Sequence, residues 1–531
     1  MADFGEILRN IGEFGLFQQL TLIAVCFPNL IQSFIFASFL FVEFDPDRYC
    51  NTDWILSADS EITKEEQLNL TLPRGEDGTF NRCEMFKPVD WNIGAIREYG
   101  LNETTGCQNG WVYINTMYDT TVVTDFNLVC DKANLLGVIQ AIFMTGILIG
   151  SLIFGPFAES FGRKRANQIP VVIMFIFVIA AALSPNVYLY LVFQLLVGVG
   201  AGGYRVNCII LTTEWIGASK RSWGACVTQL FGAVGQCILA GMIYFLRDWR
   251  VAQLITAAPL AIVIIYIWFI PESARWLLNK GKTEEAKQLI MKAAAINKRT
   301  IPDHLLDKIA VTEVGAKGGI GVIIKSPVLI KHFIIVVLAW FSTTLSVFCL
   351  YFNMANFGLS IFLTQFLFGA IEIPAHTLNM WLLEVFGRRK LFIVTFVLGG
   401  LSSMLILAVP QGYDIAVTSL VVLARFFLMW GTTVCNVFIQ ELFPTSVRQT
   451  ATGLGAIAAR VGGLLAPLVN MLAVYHWFIP ITIYSSMTII SGVLGFLLPE
   501  TSKKDLPEST EEAENKRNET STNPYICSTK L

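Results

Sequence analysis

The chain alternates long apolar runs with short charged turns. Twelve runs, at 18–42, 135–157, 168–184, 187–211, 224–246, 251–270, 332–353, 360–383, 391–410, 414–438, 450–472 and 478–498, are long enough to cross a bilayer as helices, since a span needs roughly 20 mostly apolar residues. Between runs two and three the polar break is Glu159-Ser160-Phe161-Gly162-Arg163-Lys164. Between runs eight and nine it is Glu384-Val385-Phe386-Gly387-Arg388-Arg389, nearly the same turn 225 residues later. The pattern predicts an all-α membrane protein with twelve transmembrane helices in two six-helix halves.

Two further stations keep the register. Thr213-Glu214-Trp215 leads to Arg221, and Gln440-Glu441-Leu442 leads to Arg448, with 227 residues between the two glutamates. Pro271-Glu272-Ser273 closes run six and Pro499-Glu500-Thr501 closes run twelve, 228 residues on. Each half has an even number of spans, so the repeat is parallel and its pseudo-axis lies along the membrane normal, as in alternating-access carriers that bind substrate near the midplane. The expected division is a cytoplasmic N-terminus at 1–17, an N-terminal half at 18–270 carrying a large extracellular loop at 43–134, a cytoplasmic linker at 271–331, a C-terminal half at 332–498 and a cytoplasmic tail at 499–531.

The repeated turn has gate-like chemistry. Gly162 and Gly387 permit a tight reversal. Glu159, Arg163, Glu214 and Arg221 in one half, and Glu384, Arg388, Glu441 and Arg448 in the other, are expected to form cytoplasmic ion-pair clusters that hold an inner gate shut while the site faces outward. Topology signals need only Lys and Arg, so they do not account for a glutamate repeated at a fixed offset.

Composition agrees. Charged residues are 15% of the chain, against roughly 25% in soluble domains. Arg163-Lys164-Arg165, Lys220-Arg221, Arg388-Arg389-Lys390 and Arg448 follow spans two, four, eight and ten. The positive-inside rule places these turns and both termini in the cytoplasm. Arg247 and Arg250 oppose the rule. The first run exceeds a signal-peptide core of about 7–15 residues and is expected to remain as a span.

The loop at 43–134 is polar and acidic and holds Cys50, Cys83, Cys107 and Cys130. In an oxidising compartment these imply two disulfides, with three pairings open. Sequons at Asn69 and Asn102 predict a glycosylated outer loop on a plasma-membrane protein. The chain shows no H-E-x-x-H cluster and no Walker motif, so neither an enzyme, a cofactor nor nucleic-acid binding is expected, and transport must run on a gradient or on exchange. The C-terminal Thr529-Lys530-Leu531 fits a PDZ ligand, which would hold the protein at an apical epithelial scaffold.

Charges inside spans point to the cargo. Arg205 lies in span four, Glu372 in span eight, Arg425 in span ten and Arg460 in span eleven. A guanidinium within a span costs roughly 2.5–3.5 kcal/mol on insertion scales and so faces a cavity or a partner. It also meets carboxylates bidentately. Arg460 and Arg425 therefore either bind an anion or pair with a buried acid such as Glu372. Arg205 lines the pocket, lies near lipid or pairs with Glu214. His376 is either a proton relay or a core residue, and Pro28, Asn29 and Gln32 line a cavity or bond between helices.

The turn at Gly155-Pro156-Phe157-Ala158-Glu159-Ser160-Phe161-Gly162-Arg163-Lys164 resembles the signature of the major facilitator superfamily, G-x-x-x-D-x-x-G-R-[RK], with Glu in the Asp place. Phe126-Asn127-Leu128-Val129-Cys130-Asp131, Pro271-Glu272-Ser273-Ala274-Arg275-Trp276 and Glu441-Leu442-Phe443-Pro444-Thr445 resemble solute carrier family 22. Tyr49-Cys50-Asn51-Thr52 and Glu66-Gln67-Leu68-Asn69 resemble its urate- and nicotinate-type organic anion transporters. The resemblance implies a major facilitator fold that exchanges small organic anions (urate, nicotinate or related monocarboxylates and dicarboxylates) for a counter-anion. It implies a pocket of Arg460, Arg425 and aromatic residues such as Phe438; Val347-Phe348-Cys349 in place of a Tyr-Tyr-Gly run, Thr432 and Asn436 in place of aromatics, and the added Arg205 are departures that favour smaller or more polar anions. In the family's cation transporters an Asp resembles the place of Arg460; a cation or zwitterion carrier is the alternative.

Overall fold

The apolar runs fold as twelve long helices: α1 (Leu16–Ile35), α2 (Asn134–Phe161), α3 (Arg163–Ala182), α4 (Val187–Trp215), α5 (Arg221–Phe245), α6 (Trp249–Tyr266), α7 (Pro327–Tyr351), α8 (Ile361–Phe386), α9 (Arg388–Leu405), α10 (Asp414–Leu442), α11 (Thr445–Met471) and α12 (Phe478–Leu494). The computed structural model describes residues 4–36, 39, 44–75, 78–114, 117–217, 221–307, 320–410, 412–443 and 445–501, without the side chains of residues 221, 222, 225, 380, 384, 445, 446 and 449. Several helices run past the apolar stretches that mark them. α2 reaches Phe161 and α4 reaches Trp215, because the charged turns at their ends are satisfied by one another.

Within the first half α2 and α4 approach closely. A Cβ at Gly150 or Gly202 would overlap the backbone of Val199 or Ile147, so Gly146-x-x-x-Gly150 of α2 meshes with Gly198-x-x-x-Gly202 of α4, as small residues allow in membrane helices. Asn29 Nδ2 donates to Cys208 Sγ at 3.3 Å and Gln32 Nε2 to the Ala201 carbonyl at 3.0 Å. These polar groups of α1 are thus spent on the α1–α4 seam.

The halves meet along α2–α11 and α5–α8. A Cβ at Gly369 would lie 2.8 Å from Cys237 Sγ, which shows how closely α8 passes α5. Near one end the halves also touch through rings. Phe36 meets Tyr351 (centroids 5.7 Å), Phe39 meets Phe352 (5.4 Å), and Tyr118 and Tyr244 meet Phe362 (6.0 and 5.3 Å). Among the described residues no ion pair joins the two halves.

That same end carries the polar segment between α1 and α2. It forms two small antiparallel pairs, β1 (Asp47–Cys50) with β4 (Trp111–Ile114) and β2 (Glu84–Phe86) with β3 (Thr104–Gly106). Its disulfides are Cys50–Cys107 and Cys83–Cys130. The arginines that opposed the charge bias anchor this segment. Arg250 reaches the Asp125 carboxylate at 3.1 Å and the Ala182 and Ser184 carbonyls at 2.8 and 3.1 Å, while Arg247 donates to the Met117 carbonyl at 2.6 Å. The segment therefore belongs mechanically to the first half. At the opposite end, helices Phe4–Ile11, Ala274–Asn279 and Thr283–Ile296 also pack on that half. Asn297 ties them, accepting from Phe17 N at 2.8 Å and donating to Gln18 Oε1 at 2.9 Å.

Candidate functional site

The repeated turns converge on a carboxylate. Gly162 and Gly387 have φ of +106° and +82°, a region that residues with a Cβ rarely enter. A Cβ at Gly162 would also lie 2.5 Å from Glu272 Oε2, and one at Gly387 would lie 2.7 Å from Glu500 Oε2. Each reversal leaves the first amides of the next helix without an intrahelical acceptor. Glu272 Oε1 accepts from Arg163 N (2.9 Å), Lys164 N (3.1 Å) and Ser273 N (2.9 Å). Glu500 accepts from Arg388 N (2.9 Å) and Arg389 N (3.1 Å). Burial pushes the Glu272 carboxyl above its ordinary value, while the amide bonds pull it back.

The arginines after these glycines take the second carboxylate of the repeat. Arg163 holds Glu214 at 3.2 Å through Nε and Nη2. Arg388 holds Glu441 at 3.0–3.2 Å, and Thr501 Oγ1 donates to Glu441 at 2.6 Å. Arg448 Nε donates to the Phe443 carbonyl at 3.2 Å. The Glu159 carbonyl accepts from Trp276 Nε1 at 2.9 Å. The side chains of Arg221 and Glu384 lie outside the described residues, as do Thr529-Lys530-Leu531. Each cluster, as described, joins helices of its own half. Glu272 and Glu500 were legible only as spacing marks; their shared Pro-Glu-Ser/Thr setting was the available signal.

Toward the centre of the helices lie the in-span charges. Arg425 is buried, and its Nη2 bonds Glu372 Oε1 at 2.5 Å across the α8–α10 seam. Its guanidinium lies over the rings of Phe368 (4.5 Å) and Tyr351 (5.7 Å). This pair neutralises both charges, so Glu372 serves Arg425 and not Arg460. Arg205 of α4 is exposed and Arg460 of α11 is half-buried; among the described residues neither guanidinium has a hydrogen-bond or ion-pair partner. The two come from opposite halves. Arg205 does not pair with Glu214, which Arg163 holds.

Phe348 stacks on Phe352 at 5.7 Å and lies against Gly463, one turn from Arg460. Asn436 accepts from Gln440 at 3.2 Å. Phe438 departs from the expected pocket. It is fully buried in the core of the second half, 5.8 Å from Phe392. Asn436 lies three turns along α10 on the same face as Arg425, whereas a step of two residues turns Phe438 about 200° away from that face, at about 3.6 residues per turn.

Twelve spanning helices in two six-helix halves define a major facilitator transporter rather than an enzyme. The family model described as "Sugar (and other) transporter" matches residues 91–513. The chain belongs to solute carrier family 22. It is 35% identical over 516 residues to human solute carrier family 22 member 13, covering 97% of this chain and 94% of that one. It is also similar to human member 14 (32%, covering 97% and 89%) and to the Drosophila melanogaster organic cation transporter protein (30%, covering 96% and 94%). Its fold is similar to that of the proton:xylose symporter XylE bound to 6-bromo-6-deoxy-D-glucose, with a TM-score of 0.62 at 17% identity over 94% of this chain and 98% of that one. The protein is thus a multi-pass membrane transporter of the organic-ion family.

Proposed function

We propose that the protein exchanges small organic anions, of the urate, nicotinate and related carboxylate type, for a counter-anion across the plasma membrane. The observation that carries this reading is the pair of uncompensated guanidinium groups, Arg205 on one half and Arg460 on the other. A carboxylate between them meets fork-shaped donors from both halves. Binding also removes the repulsion that opposes bringing the halves together, so an occupied carrier closes more readily than an empty one. That favours exchange over net flux. Asn436 and Phe348 supply a polar and an aromatic wall.

The glycine-turn clusters act by stiffening each half, so that the halves rock as bodies. Glu159 and Glu384 stand at those turns, and the proposed division into halves and linker follows the repeat. The disulfide-bearing segment, with Asn69 and Asn102 glycosylated, lies outside the cell; both termini lie inside, where the tail meets a PDZ scaffold. The ring contacts near Phe362 then close the outer mouth.

A cation or zwitterion carrier would need a free acid at the midplane. Glu372 is bound to Arg425, which weighs against it. The test is uptake in oocytes of labelled urate, nicotinate, a dicarboxylate and a quaternary ammonium, wild type beside Arg460→Ala. Anion uptake lost in the variant supports the reading. Cation uptake that survives in the variant, with no anion uptake in either, overturns it.

A further inference from the structure

Arg205 follows a weak stretch of α4. Gly198, Gly200, Gly202 and Gly203 come just before it, and interior glycines soften a helix because they leave its backbone unrestrained. Packing supplies the restraint on two sides. A Cβ at Gly200 would lie 2.7 Å from Met174 Cγ of α3, and one at Gly203 would lie 2.5 Å from Phe154 Cδ2 of α2. The third side belongs to α1.

Three contacts with α1 bracket the arginine. Gln32 Nε2 donates to the Ala201 carbonyl at 3.0 Å, and that carbonyl is the one the Arg205 amide meets in a regular helix, four residues on. Tyr204 Oη donates to the Val25 carbonyl at 2.6 Å. Asn29 Nδ2 donates to Cys208 Sγ at 3.3 Å, and the Cys208 thiol donates to the Arg205 carbonyl at 3.5 Å. Asn29, Gln32, Tyr204 and Cys208 are all buried. Both backbone groups of Arg205 are thus tied to α1, each through one intermediary, while its guanidinium has no partner among the described residues. The break in α1 is itself answered. Pro28 has no N–H, so the Ala24 carbonyl loses its helical donor, and Tyr266 Oη of α6 supplies one at 2.8 Å.

We propose that Gln32 and Asn29 are positioning residues for the anion site, fixing the α4 backbone on either side of Arg205 so that its guanidinium stays where a carboxylate meets it. This rests on the anion reading above. Both amides are spent on α4, and each acts through Arg205. Losing either lets the glycine-rich stretch relax, and the guanidinium then spends less of its time in the binding geometry. Affinity falls, while the rocking of the halves is unaffected, because α1 and α4 belong to the same half.

The test compares labelled nicotinate uptake over a range of concentrations in oocytes, scaled to surface protein by biotinylation. Gln32→Met keeps the length of the side chain and removes its N–H groups. It is expected to raise KM about two- to tenfold, the factor that one hydrogen bond of ordinary net strength is worth. The saturating rate per surface molecule should stay near wild type. In an Arg205→Ala background the same change should add nothing. Cys208→Ala cuts the path from Asn29 to Arg205 and carries the same expectations should Gln32→Met fail to reach the surface. An unchanged KM, or a lower saturating rate at the wild-type KM, overturns the proposal and leaves the anion reading intact. So does a rise in KM by the same factor with and without Arg205. If Arg205→Ala takes up no nicotinate, the split between KM and saturating rate decides alone. Cation uptake without anion uptake in wild type overturns both readings.

Discussion

Glu272 caps the helix that starts at Arg163: its Oε1 lies 2.9 Å from the Arg163 nitrogen, across 109 residues of sequence. Glu500 does the same for Arg388 across 112. Losing a helix cap costs about 1 kcal/mol. Glu272→Ala and Glu500→Ala are each expected to lower the Tm of purified protein and the uptake per surface molecule. The Gln variants should fall less, since an amide oxygen still accepts. Thermal unfolding and surface biotinylation beside uptake check this; equal losses for Ala and Gln would put the effect in charge alone.

The same carboxyl gives a pH signature. Burial raises its proton affinity in the folded protein, so its stabilising contribution is fullest in acid and is lost as pH rises through its folded value. The Tm of wild type relative to Glu272→Gln should therefore climb as pH falls from neutrality toward the ordinary glutamate value of about 4.3. A gap that narrows on acidification contradicts this.

Arg425 and Glu372 form a buried pair, and removing one partner of such a pair costs about 3–5 kcal/mol. Arg425→Met alone strands a carboxylate in the membrane and is expected to reduce surface level and Tm sharply. Adding Glu372→Gln should recover much of the loss, which a double-mutant cycle measures. Additive losses would mean that the two charges do not depend on each other.

Tyr244 and Phe362 touch across the halves at 5.3 Å between ring centroids. With cysteines at both positions, oxidation should lock this end, stop uptake and be reversed by reductant. Uptake that continues in the crosslinked protein would mean that this contact does not open during the cycle.

The pairing Cys50–Cys107 and Cys83–Cys130 is checked by peptide mapping without reduction. Loss of either bond, as in Cys83→Ser, is expected to cost about 2–5 kcal/mol and to lower the amount of protein at the cell surface.

Much of the architecture was legible in the sequence. The echo of Glu159–Lys164 in Glu384–Arg389 marked the halves, and the in-span arginines marked a polar centre. The role of Glu272 and Glu500 was not legible, because an acid that caps a helix more than a hundred residues away leaves no local pattern. Phe438 was misplaced for a related reason. An aromatic beside polar α10 residues looks like a pocket wall until the helix phase is fixed against its neighbours.

What the sequence determined by itself was twelve spans, their duplication and the presence of charge at membrane depth. Those follow from costs that each segment bears alone: a backbone in lipid must bond internally, and a charge in a span must justify its desolvation. The tertiary structure decided which charges are already answered. Arg425 meets Glu372 across 53 residues, two of the four cysteines of the polar segment meet across 57 and two across 47, and the guanidinium groups of Arg205 and Arg460, on opposite halves, are left without a hydrogen-bond or ion-pair partner among the described residues. Pairing depends on which side chains the packed helices bring within a few ångströms, and no single segment carries that information.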